Sequence, residues 1–262
     1  MKQFRRQTLW TGIILTLLCC TQAVALDKHE VVRKATAAYY SLERQGLTSF
    51  NCTVVPDWQE FFEQQLEGYD DPATRSRIGK IRFSVSLDQS GMLDLTPYRE
   101  GGGTISGSSA YMANKLGELL SGFFQMVQMN VIKTPFSILE NDFTLTDKKE
   151  EYLITMDDSE ATSEITMTRD YLITEILIRI KNPQTAETIF WPKFDSTGQG
   201  LLLSRLTTIR NDGQFMSTWD LKYSKTGGLQ LPASVVIKNT EKGKTVRLKV
   251  DFDNCKAAQK QK

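Results

Sequence analysis

Lys244-Thr245-Val246-Arg247-Leu248-Lys249-Val250-Asp251-Phe252 alternates without a break. Val246, Leu248, Val250 and Phe252 fall on one side, and Thr245, Arg247, Lys249 and Asp251 on the other. A period of two is the mark of an extended strand with one face in an apolar interior and the other in water. Upstream, Phe215–Tyr223 repeats the pattern with Phe215, Trp219, Leu221 and Tyr223. Leu172–Lys181 repeats it with Leu172, Ile176, Ile178 and Ile180, and Ser163–Arg169, Thr188–Phe194 and Ala233–Asn239 read as further strands. Asn211-Asp212-Gly213, Lys225-Thr226-Gly227-Gly228 and Glu241-Lys242-Gly243 separate such segments with residues that tolerate positive φ. The C-terminal half is therefore an antiparallel meander with one face to be covered.

Towards the N-terminus the pattern mixes strand and helix. Phe50, Cys52 and Val54 share a face of an extended Leu47–Val55, and Ile81, Phe83, Val85 and Leu87 share a face of Ile78–Asp88. Asp27 with Glu30 forms a capping-box pattern, and Val31, Ala35, Ala38, Tyr39 and Leu42 follow at helical spacing up to Gly46. A second helix begins after Pro56-Asp57 with Trp58, Phe61, Phe62, Leu66 and Tyr69 on one stripe, and Asp70-Asp71-Pro72 ends it. Tyr98–Ser109 contains Gly101-Gly102-Gly103 and Gly107. It lacks a strand–Gly–helix fingerprint and a following Lys-Ser/Thr pair, so it reads as a mobile connector and not a phosphate loop.

Ser109–Val131 is unusually apolar for a helix: Met112, Leu116, Leu119, Leu120, Phe123, Phe124, Val127 and Val131 cover a wide face, with Lys115 and Glu118 its only charges. Such a helix either closes a core or roofs an apolar cavity. Under the second reading Leu116, Leu119, Leu120, Phe123, Phe124 and Val127 face a wall of Phe83, Val85, Trp219, Leu221, Val235 and Ile237, placed by strand parity. An acyl chain gains about 0.8 kcal/mol per buried methylene, so a dry cavity needs no polar anchor to hold one.

The first 25 residues read as an export signal: Lys2, Arg5 and Arg6, an apolar Leu9–Leu18, then Ala23-Val24-Ala25 before the expected cut. An uncleaved anchor is the alternative. Removing these residues takes away three basic residues and no acidic one, leaving 29 against 31 in residues 26–262, one expected domain. That balance carries no nucleic-acid footprint. Cys52 and Cys255 remain, and in an oxidising compartment the expectation is a disulfide between them. Cys255 has the opposite parity to Val246–Phe252, so the last strand must end or bulge near Asn254 for the bridge to form. His29 is the only histidine, which excludes a multi-histidine metal site and a histidine triad built without it. Asp157, Asp158 and Glu160, and Asp251 with Asp253, fit turns and strand ends better than a calcium loop. No catalytic residue, metal or cofactor is expected.

Three stretches resemble the LolA-like periplasmic lipoprotein carriers and outer-membrane lipoprotein-sorting proteins. They are Ala38-Tyr39-Tyr40-Ser41-Leu42 leading into Leu47-Thr48-Ser49-Phe50, then Tyr223 with Gly228-Leu229-Gln230-Leu231-Pro232 before Ala233–Asn239, and the closing Val246–Asn254. The resemblance covers the two ends of the chain. It implies an α+β fold, an incomplete antiparallel β-barrel (a strongly curved sheet) with helices on its concave side and an apolar cavity for acyl chains. The function so implied is that of a monomeric, secreted or periplasmic, non-catalytic carrier of lipid or lipoprotein acyl chains. A competing reading is an envelope protein-interaction or stress-sensing module on the same fold.

Overall fold

A computed structural model describes residues 27–64, 71–88, 91–139, 142–181, 186–210 and 213–260. The expected export signal lies outside them. Helix α1 (Lys28–Ala38) begins where Asp27 caps it: the carboxylate accepts the amides of His29 and Glu30. Glu30 does not reach back to complete a box, and pairs instead with Arg33 and Lys34. The helix stops at Ala38, four residues short of the expected Leu42. Two buried rings pull the chain out of it. Tyr39 is extended and bridges Leu201, and its hydroxyl donates to Tyr171 O (2.9 Å) and accepts Ile173 N–H (2.7 Å). The Tyr40 hydroxyl accepts Gln230 N–H (2.8 Å). Burying both rings outweighs another turn of helix, whose intrinsic preference is small.

Twelve strands form one sheet, with every neighbouring pair antiparallel. They are β1 (Leu47–Pro56), β2 (Ile81–Leu87), β3 (Leu93–Arg99), β4 (Thr144–Lys148), β5 (Glu151–Asp157), β6 (Ala161–Thr168), β7 (Ile173–Ile180), β8 (Glu187–Thr197), β9 (Gly200–Arg210), β10 (Phe215–Thr226), β11 (Leu229–Glu241) and β12 (Lys244–Gln259). The spatial order is β3-β2-β1-β12-β11-β10-β9-β8-β7-β6-β5-β4. The first strand thus lies beside the last, and the sheet does not close, because β3 and β4 are its free edges. With four helices among the described residues the fold is α+β. The sequence reading misses β3 and treats its Tyr98 as connector. Pro97 disguises the strand, yet an edge is where a proline can sit without losing a ladder bond.

Helix α2 covers Trp58–Gln64, and Leu66 and Tyr69 of the expected stripe lie outside the described residues. Asp71-Pro72, read as a stop, is a start. Asp71 caps helix α3 (Pro72–Ile78) through the amides of Ala73 and Thr74, with Pro72 in its first turn. Helix α4 (Ser108–Val127) runs on into a π-turn over Gln128–Ile132. One core gathers around α4. A second gathers α1 and Phe136 over β5–β7, with Ile154, Ile165, Met167 and Ile173 at its centre. On β7 the expected single face of Leu172, Ile176, Ile178 and Ile180 is broken. The register slips between Thr166 and Met167, so Ile165 opposes Ile176 while Met167 opposes Ile173, and Ile180 is exposed.

Cys52 and Cys255 are joined in a disulfide, 203 residues apart in sequence. The parity obstacle is removed where the sequence requires it. Register steps from Asn51↔Lys256 to Thr53↔Asp253, inserting one extra residue on β12, and Asn254 takes φ 53°. Asparagine is among the few side chains that tolerate that region. The bulge reverses the facing of β12, so Phe252 before it and Cys255 and Ala257 after it all pack against the same core.

Candidate functional site

Helix α4 uses its two halves differently. In the C-terminal half Phe123 stacks on Phe252 (5.6 Å, 15°) and lies 5.7 Å from Trp219, while Phe124 meets Phe252 edge-on at 5.7 Å. Both phenylalanines are buried, as are Phe83, Val85, Leu120, Val127, Leu221 and Val235, with Trp219 partly buried against them. In the N-terminal half Met112 and Leu116 stay buried in the same core, and Leu119 is partly buried at its edge. A groove of about 810 Å³ opens between α4, α2 and the ends of β10, β11 and β12. That volume falls within the roughly 300–1,000 Å³ of small-molecule sites.

Its walls are aromatic and aliphatic: Trp58, Phe61 and Phe62 from α2, Met112, Leu116 and Leu119 from α4, and Phe215, Ile237, Val246 and Leu248 from the strands. Of the twelve expected cavity residues, Leu116, Leu119 and Ile237 line this groove, and the other nine belong to the packed core beside it. The α2 rings escaped the expectation because their stripe reads equally well as ordinary core. What separates them is that Pro56 ends β1 and turns α2 onto β12. Asp57 N–H donates to Lys249 O (2.8 Å), Arg247 forms an ion pair with Glu60, and Arg247 N–H donates to Gln64 Oε1 (2.6 Å). The Trp58 indole N–H, donating to Ile81 O (2.9 Å), fixes the ring at the groove wall.

The mouth is polar. Tyr111, Lys115, Asn239, Glu241, Lys242 and Lys244 border it. Lys115 pairs with Glu118 at 3.3 Å, whereas Lys242 and Lys244 have no ion-pair partner among the described residues. His29 packs edge-on against Phe143 (5.7 Å, 78°) in the second core. Among the described residues no three His, Cys, Asp or Glu side chains gather as a metal site would need, and no helix is long and apolar enough to cross a membrane.

No family model, curated protein or solved structure matches this chain. The groove's chemistry must therefore be read from its own walls. They offer an apolar surface with the ammonium groups of Lys115, Lys242 and Lys244 at its mouth.

Proposed function

We propose that this protein is a non-catalytic carrier or binding protein for an acyl chain, held in the groove between α2, α4 and β10–β12, in the manner of the LolA-like carriers its ends resemble. The observation that carries this reading is a groove of about 810 Å³ walled by ten apolar side chains from two helices and three strands. The reading includes a sheet that curls around α4. Gly117 lies against the Phe83 ring of β2, and Phe123, six residues or about 9 Å further along the helix, meets Trp219 of β10. In a flat sheet β2 and β10 would be four spacings, about 19 Å, apart. The Cys52–Cys255 disulfide suits a protein of an oxidising compartment.

The test is mass spectrometry of lipids co-purifying with the protein, paired with displacement of a fluorescent fatty acid. Leu119, only partly buried, is the variant to use. Leu119→Glu places a carboxylate in the apolar wall, and retention should fall at least tenfold while the melting temperature changes little. Absence of bound lipid in the wild type, together with no fatty-acid uptake, would sink the carrier reading and leave the groove to a protein partner.

A further inference from the structure

Beside the first turn of α4 lies a smaller pocket of about 200 Å³, and its chemistry is different. Arg77 at the end of α3 and Arg99 at the end of β3 border it, together with Ser106, Ser108 and Ser109. No acidic residue lines it. Glu100, the nearest carboxylate in sequence, is held by Arg82 at 2.8 Å. Arg77 spends one N–H on Thr74 Oγ1 (2.9 Å), and the Arg99 guanidinium has no hydrogen-bond or ion-pair partner among the described residues.

The start of α4 adds donors. Gly107 is its N-cap and supplies no side-chain acceptor. The first intrahelical bond is Tyr111 N–H to Gly107 O (3.2 Å), so the amides of Ser108, Ser109 and Ala110 stay open. A helix of 20 residues also concentrates positive potential there. Ser109 is an independent sign. Its side chain lines the pocket and the residue is only 8% exposed, yet its hydroxyl has no partner among the described residues. Among the described residues Glu60 Oε2 is the one buried side-chain polar atom without a partner, so the Ser109 hydroxyl keeps access to the pocket and is free to bond what enters it.

The geometry points to a binding site for a phosphate monoester group, formed by Arg77, Arg99, the Ser109 hydroxyl and the open amides of Ser108–Ala110. Two guanidinium forks suit the fixed geometry of a tetrahedral oxyanion, and the volume fits a headgroup better than a drug-sized ligand. The strand–glycine–helix order that the sequence hides is present: β3, Gly101–Gly103, then α4. The site shares no residue with the acyl groove.

Titration of the full protein with inorganic phosphate, followed by amide chemical shifts, tests it. The resonances of Ser108, Ser109 and Ala110 should move saturably, and Arg99→Gln should weaken binding at least tenfold. Ser109→Ala should weaken it severalfold. Ser108→Asp, which supplies a carboxylate to the same amides, should raise the melting temperature and abolish the response to phosphate. Sedimentation with phosphatidylcholine vesicles, with and without phosphatidate, distinguishes the source. Phosphatidate-dependent pelleting lost in Arg99→Gln assigns a lipid headgroup, and phosphate binding without pelleting assigns a soluble phosphate monoester. Absence of saturable shifts in the wild type, or identical titrations of wild type and a folded Arg99→Gln, would overturn the proposal.

Discussion

Gly198 and Gly200 look alike in sequence, two glycines in one turn, but only one of them is irreplaceable. A Cβ on Gly200 would sit 2.8 Å from both Tyr39 C and Tyr40 N, and its φ is +125°. Gly200→Ala is therefore expected to cost at least about 2–3 kcal/mol in urea unfolding, through collision with backbone and a disfavoured conformation. Gly122 offers the contrast: it is helical with nothing within 4 Å of a would-be Cβ. Gly122→Ala should stabilise by about 0.5–1 kcal/mol. The tyrosines that Gly200 admits also set a pH limit. Burial raises the ionisation of Tyr39, Tyr40 and Tyr223 above the usual tyrosine value. Their neutral forms are favoured in the folded state, so the stability they contribute is complete below about pH 10 and is lost as pH rises through their folded values. Unfolding free energies measured from pH 9 upwards should fall beyond that point. Tyr223→Phe should make the decline shallower by about 1.4 kcal/mol per pH unit, beside a constant cost for the Leu203 carbonyl it leaves without a donor.

For the elements, legibility followed burial on one face. β12 and β2 were readable because water on one side and core on the other impose strict alternation. β3 was not, because an edge strand with Pro97 has little core to record. α1 was overextended because helical spacing cannot reveal that Tyr39 and Tyr40 each have a distant hydrogen-bond partner. The apolar face of α4 was legible, but its division was not: packed rings at Phe123 and Phe124 and open groove at Leu116 and Leu119 use the same residue types. The division is testable. Phe123→Ala and Phe124→Ala should each cost about 3–5 kcal/mol, with lipid retention changed only as far as folding is. Leu119→Glu should show the reverse balance.

Across the whole molecule one covalent link holds the two ends of the chain in the middle of the sheet. A loop of 203 residues would contribute about 5 kcal/mol in the loop-entropy account, so Cys255→Ser should lower the unfolding free energy by up to that amount. The same loss should follow reduction of the wild type, and reduction of Cys255→Ser should add nothing. The bulge at Asn254 accompanies this link. Deleting Asn254 would remove the bulge and leave Cys255 in the parity of Phe252, directly opposite Cys52, so the disulfide should persist with no free thiols on counting.

The neighbourhood of β1 and β12 also has a meaning in time. A ribosome delivers residues 47–56 long before residues 244–259, and Leu47–Pro56 finds its β12 partner only among those later residues. Until then β1–β3 can form only a small three-stranded piece, and the meander from β4 to β11 ends in an unpaired strand. Nascent chains halted before Lys244 should therefore remain protease-sensitive throughout residues 47–99, and protection should arrive abruptly once the last strand has emerged. The order of synthesis keeps this part of the chain pliable until β12 has emerged.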